Sequence, residues 1–191
     1  LALLLLAAAV AALYAWRAPK VGIAGNFETV SRESLLLMNN VLLAVACGSV
    51  LLGSLYPLFL DALTGTKISV GPPFFETVFV PIMAPLVFLM GVGPIARWKK
   101  AALPDLALRL RWALLVSLAC AFIVPLVAGR LSPMVTVGLF LAFWILASAA
   151  LNVKERIRHL KGGLGARLSA QGLAYWGMQC AHAGVAVFIV G

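Results

Sequence analysis

Six apolar runs dominate the sequence, and each is close to the roughly 20 residues that an α-helix needs to cross the hydrocarbon core of a bilayer. They cover residues 1–16, 35–60, 75–95, 112–128, 134–153 and 172–191. Hydrophobic residues make up 63% of the chain and charged residues 11%, whereas soluble domains are about half apolar and a quarter charged. We therefore predict an all-α polytopic transmembrane helix bundle, with about six membrane-spanning helices in a single region over residues 1–191. Because the chain lacks an initiating methionine and both ends lie in apolar runs, we expect this region to belong to a larger membrane protein.

Lysine and arginine residues are distributed unequally among the loops between these runs. The segments after the second and fourth runs carry only Lys67 and Arg130. The segments after the first, third and fifth runs carry all the others: Arg17, Lys20, Arg32, Arg97, Lys99, Lys100, Arg109, Arg111, Lys154, Arg156, Arg158, Lys161 and Arg167. The positive-inside rule predicts that these three segments are cytoplasmic and that both chain ends lie on the periplasmic side. We therefore attribute the net charge of +9 to membrane topology and contact with lipid head groups, not to nucleic-acid binding.

Residues for hydrolytic or acid–base catalysis are not apparent in the sequence. The six carboxylate residues show no pair on one helix face, and no Ser-His-Asp set can be recognised. The three cysteines, Cys47, Cys120 and Cys180, lie in apolar runs without the spacing of a zinc site or a disulfide framework. The sequence therefore identifies no catalytic residues.

One histidine, His182, lies near the middle of the last apolar run, AYWGMQCAHAGVAVFIVG. An ionisable side chain at that depth is costly, so it indicates a functional site by default. The imidazole could donate a hydrogen bond to a neighbouring helix, relay protons, or bind haem iron through a ring nitrogen. The nearby small residues favour close packing of a helix and of a flat macrocycle equally, so the three roles stay open.

Three segments resemble one known family. The residues SRESLLLMNNVLL, GSLYPLFLDALTGTKISVGPPFF and AHAGVAVFIVG are similar to CcmF, the haem lyase component of the bacterial cytochrome c maturation system. The resemblance covers most of residues 31–191, and the Asn39–Asn40 pair and the SVGPPFF element are its most specific parts. It implies a multi-pass protein of the bacterial inner membrane.

The resemblance also implies a function. Members of the family receive haem from the periplasmic haem chaperone CcmE and act with CcmH to attach it to apocytochrome c. They also carry a structural b-type haem between two transmembrane histidines, and His182 matches the second of these axial iron ligands. The first ligand, the tryptophan-rich haem-binding signature and its flanking periplasmic histidines are not in this sequence, so haem lyase activity is not expected of residues 1–191 by themselves. The alternative interpretation is a multi-pass transporter or permease segment in which His182 packs helices.

Overall fold

The computed structural model describes residues 2–17, 31–96, 102–129 and 132–191, and every regular element in these ranges is a helix. Five helices are long and apolar enough to cross a membrane, so the predicted polytopic bundle is confirmed. The first helix, with 16 residues, matches the first predicted run but is shorter than these five. In chain order the helices are α1 (Ala2–Arg17), α2 (Arg32–Thr64), α3 (Pro72–Val92), α4 (Leu103–Val127), α5 (Pro133–Ile157), α6 (Leu164–Ser169) and α7 (Leu173–Val190).

Most helices extend beyond the apolar runs that predicted them. α4 begins at Leu103 and not at residue 112, so Arg109 and Arg111 belong to the helix and not to a loop. Arg109 is accommodated there because its guanidinium lies 3.3 Å from the Asp105 carboxylate one turn earlier and 3.4 Å from that of Glu155 on α5. An apolar run ends at the first charged residue. The helix itself can continue, because its backbone hydrogen bonds are kept wherever the charged side chains are solvated or paired.

The ends of α2 follow from local capping. The hydroxyl of Ser31 accepts a hydrogen bond from the Ser34 amide at 3.1 Å, which satisfies one of the unpaired donors of the first turn. At the other end, Gly65 adopts a φ of 68° and its amide donates to the carbonyl of Asp61. That left-handed conformation stops the helix and is open to glycine without a steric penalty.

Charged residues gather at one end of the bundle, which we call the basic end. Contacts between elements define it: Arg109 at the start of α4 reaches Glu155 near the end of α5, and Asn152 on α5 contacts both Pro94, just after α3, and Tyr175 at the start of α7. The basic end thus combines the starts of α4 and α7 with the ends of α3 and α5. Lys20, Arg97, Lys99, Lys100 and Arg130, which contributed to the topology prediction, lie outside the described residues.

Helix α5 is the centre of the described bundle, since it packs against α3, α4 and α7, while α2 packs mainly against α3. Two buried clusters join these helices. One lies among α3, α4, α5 and the turn after α3, and contains Val92, Ile95, Leu106, Leu110, Ala113 and Trp144. The other lies among α3, α5 and α7, and contains Val87, Leu141, Ala142, Ile145 and Ala186.

Trp144 joins α5 to α3 through both a hydrogen bond and a ring stack. Its indole Nε1 donates to the carbonyl of Phe88 at 2.8 Å, and its ring stacks on that of Phe88 with 4.9 Å between centroids. Gly91 makes room for it, because a Cβ at that position would collide with the indole ring and lie 2.9 Å from the hydroxyl of Ser148. The small residue thus allows α3 to approach α5 at close range.

Candidate functional site at His182

His182 lies at the middle of the 18-residue helix α7 and is half-buried. Its Nδ1 is 2.8 Å from the carbonyl oxygen of Met178, one turn earlier on the same helix. A carbonyl oxygen only accepts hydrogen bonds, so Nδ1 is the nitrogen that carries the proton in the neutral ring. Nε2 is then unprotonated and presents a lone pair.

This hydrogen bond limits the roles open to the imidazole. It runs to the backbone of α7 itself, and the imidazole makes no further hydrogen bond within the described part of the chain. Histidines that bind metals almost always donate their other ring N–H to a carbonyl, carboxylate or water, which fixes the tautomer and the direction of the ring. The hydrogen bond of His182 is of this kind, and an unprotonated Nε2 suits metal binding and proton relay alike.

A groove opens in front of His182 between α2 and α7, with α3 as its floor. Its volume is about 500 Å³, within the range of roughly 300–1,000 Å³ typical of ligand sites. Its apolar lining comes from Leu35, Leu36, Leu43, Met83, Leu86, Val87, Leu89, Met90, Gly93, Pro94, Met178 and Val185. The polar side chains that line it are those of Arg32, Asn39 and His182. The groove thus provides a largely apolar surface with one imidazole, from the middle of α7.

The Asn39–Asn40 pair divides between two environments. Asn39 is half-buried and lines the groove, whereas Asn40 is exposed on the outer surface of α2. Of this adjacent pair, Asn39 is therefore the residue that faces the bundle. Asn39 makes no hydrogen bond to the described residues, so its amide is open to a ligand or to a helix outside this chain.

A polar network lies at the basic end of the groove, in a place that the sequence did not indicate. The side-chain oxygen of Asn152 accepts from the Tyr175 hydroxyl and from the Gln179 amide, both at 3.0 Å. Its amide nitrogen donates to the carbonyl of Pro94 at 3.1 Å, and Gln179 also donates to the Tyr175 hydroxyl at 2.8 Å. The sequence places Asn152 near the end of a helix, where a polar residue is expected to be solvated and to have no structural role. That interpretation is wrong, because the Asn152 amide connects α5 to α7 and to the turn after α3.

The remaining candidate side chains are not part of the site. His159 is exposed in the turn after α5. Cys47 and Cys180 are exposed on the surface of the described bundle and Cys120 is half-buried, and all three are free thiols. Within the described residues, no second histidine and no cysteine therefore lines the groove beside His182.

Comparison with known proteins gives the same family as the resemblance. No protein-family model matches the chain. It is 42% identical over 175 residues, or 92% of its length, to the "Cytochrome c-type biogenesis protein CcmF" of Pseudomonas fluorescens, and 40% identical over 180 residues to that of Escherichia coli. A solved structure named "Cytochrome c Heme Lyase CcmF" matches 85% of the chain with a TM-score of 0.62 and 28% identity.

The chain belongs to the CcmF family. It spans about a quarter of the length of the curated relatives that it matches, 26% of the Pseudomonas fluorescens protein and 27% of the Escherichia coli protein. These relatives are named for cytochrome c biogenesis, and the spanning helices place the chain among multi-pass membrane proteins.

Proposed function

We propose that the chain forms part of a haem-handling subunit of cytochrome c maturation and that His182 is an axial ligand of a b-type haem in the bundle. The observation that carries the proposal is the His182 ring itself. Its Nδ1 proton is hydrogen-bonded to the Met178 carbonyl, which leaves Nε2 unprotonated, and the His182 side chain lines the apolar groove. The names of the relatives and the solved haem lyase structure support haem as the ligand class.

The groove fits haem in two respects. Its apolar walls suit a flat macrocycle, and its one imidazole suits the iron. When bound, the haem would supply one-electron chemistry. The chain's own residues would bind it: Met178 and His182 through the fixed tautomer, and Leu86, Val87 and Met90 by excluding water from the floor.

A second axial ligand would come from outside this chain. The sequence has two histidines, and His159 lies exposed in a turn beyond the end of α5. Bis-histidine ligation, as the family resemblance implies, therefore requires a further helix from the longer protein. In that protein we expect haem to arrive from the chaperone CcmE and to be attached to apocytochrome c together with CcmH, in the bacterial inner membrane with the end of α7 on the periplasmic side.

The decisive experiment is an absorbance spectrum of the purified full-length protein. Wild type is expected to show a reduced b-type haem spectrum. His182→Gly is expected to lose most of this haem, because the remaining ligand binds the iron from one side only. Added imidazole should restore part of the spectrum, since the substitution leaves a space at the end of the groove that the free ring can enter.

His159→Ala is the matched control, because it removes the other imidazole from an exposed turn and should leave the spectrum unchanged. A haem spectrum that survives in the His182→Gly protein without change would refute His182 as a ligand. A wild-type protein without haem would refute haem handling by this bundle and favour the transporter or permease alternative.

A further inference from the structure

The hydrogen-bond network of Asn152, Tyr175 and Gln179 adjoins the groove. Gln179 is buried, with 8% of its surface exposed, and every polar contact of its amide nitrogen is within this network. Pro94, whose carbonyl accepts from Asn152, also lines the groove. The network therefore joins one wall of the groove, α7, to the end of its floor, α3, through a single side chain of α5.

The spacing of these residues on α7 relates the network to His182. At 3.6 residues per turn, Tyr175 lies about 20° and Gln179 about 60° around the helix axis from His182. The network and the imidazole therefore occupy one stripe of the helix. Holding Tyr175 and Gln179 against Asn152 fixes the rotation of α7 about its own axis, and with it the direction of the imidazole.

Helix geometry gives an estimate of how accurately the rotation of α7 must be fixed. Side-chain ends lie about 5–6 Å from the helix axis, so a rotation of only 10° moves such an atom by about 1 Å. Ligand sites need positions within roughly 0.5 Å and 10–20° of the working geometry. The single hydrogen bond from His182 to Met178 orients the ring relative to α7, but it cannot orient α7 relative to the groove.

We infer that Asn152, Tyr175 and Gln179 are positioning residues that set the angle and distance at which His182 meets a metal centre in the groove. This inference rests on the proposed haem ligation by His182. Outer-shell partners of metal ligands typically change metal affinity about 10- to 100-fold when they are removed. Because Asn152 acts on the helix and not on the ring directly, we expect an effect near the lower end of that range.

The test is Asn152→Leu in the full-length haem-loaded protein, with haem retention and the midpoint potential as the two measurements. Leucine keeps most of the side-chain volume but removes all hydrogen bonds to Pro94, Tyr175 and Gln179. We expect about tenfold weaker haem retention during dilution or transfer to an acceptor. The haem that remains bound should show a shifted midpoint potential and altered electron paramagnetic resonance signals of the low-spin iron.

Tyr175→Phe provides a milder second variant in case Asn152→Leu does not accumulate. It retains the ring, which packs beneath the Arg156 guanidinium at 4.6 Å, and removes only the hydroxyl group. Its shift should have the same direction and a smaller size. In the double variant the Tyr175→Phe change should add little, because residues of one network are not additive.

Asn40→Leu is the matched control, since Asn40 is an exposed asparagine of α2 that does not line the groove. Both network variants could lose thermal stability while the haem midpoint potential and the electron paramagnetic resonance signals stay unchanged. That result would assign the network to folding only and overturn the inference. Equal shifts in the Asn40→Leu protein would overturn it too. A wild type that lacks haem would instead refute the proposed function on which the inference rests.

Discussion

Replacing Gly91 with alanine is expected to destabilise the contact between α3 and α5. The added Cβ would collide with Trp144 Nε1, lie 2.8 Å from its Cδ1 and lie 2.9 Å from the hydroxyl of Ser148. Trp144 cannot easily move away, because it is 2% exposed, stacked on Phe88 and hydrogen-bonded to the Phe88 carbonyl. Helix α3 must therefore shift outward.

The cost of this shift can be estimated from its parts. Overpacking of a well-packed core by one methyl group typically costs about 1–3 kcal/mol. Loss of the Trp144–Phe88 hydrogen bond would add about 0.6 kcal/mol, the average for interhelical hydrogen bonds in membranes. Equilibrium unfolding of the purified protein in detergent micelles measures the sum. Because α3 forms the floor of the groove, haem retention should fall together with stability.

Gly48→Ala is the control for this experiment. A Cβ at Gly48 meets nothing within 4 Å, so alanine there should be neutral or slightly stabilising, as is usual for a helix interior. The Gly91→Ala cost should also shrink in a Trp144→Leu background, where the opposing ring is absent. Equal stabilities of the Gly91→Ala and Gly48→Ala proteins would show that the close approach of α3 to α5 does not determine stability.

Two further predictions concern charge. In a protein freed of its native cysteines, a cysteine at Lys67 should react with an impermeant reagent added from the periplasm and a cysteine at Lys161 should not, because the basic end is expected to face the cytoplasm; the reverse labelling would invert the topology. Arg109→Met should cost about 0–1 kcal/mol of unfolding free energy, since the Arg109 and Glu155 side chains are only 30% and 33% exposed but still reach solvent. The difference between variant and wild type should shrink at high ionic strength, and a cost independent of salt would contradict a screened ion pair.

The spanning helices and the candidate histidine were predictable for the same reason. Apolar length and the cost of a buried imidazole are properties of a segment, and neither requires knowledge of its neighbours. The residues near helix ends were harder to predict. The sequence assigns Arg109 to a loop because the apolar run begins only at residue 112. The i,i+4 pair of Asp105 and Arg109 is a local sign of an earlier helix start, whereas the contact with Glu155, 46 residues away on α5, has no local pattern.

Asn152 shows the same limitation at the site. Read along the chain, it is one polar residue before a run of charges at the end of a helix. Its role depends on Pro94, 58 residues earlier, and on Gln179, 27 residues later. A signal was present, since Asn152, Tyr175 and Gln179 are polar residues at similar depth on neighbouring apolar runs. The sequence did not say which of these runs are in contact.

Local features of the sequence are enough to identify a helical membrane protein with one deep imidazole, because hydrophobic length and the cost of burying an ionisable side chain are properties of single segments. What surrounds that imidazole depends on tertiary packing. The Nδ1–H of His182 donates to the Met178 carbonyl within α7. Only the packing of the helices shows that α2 and α3 line an apolar groove beside His182, and that Asn152 connects α7 to α5 and to the turn after α3. These features depend on how the helices are rotated and how closely they approach, and side chains distant in sequence set both.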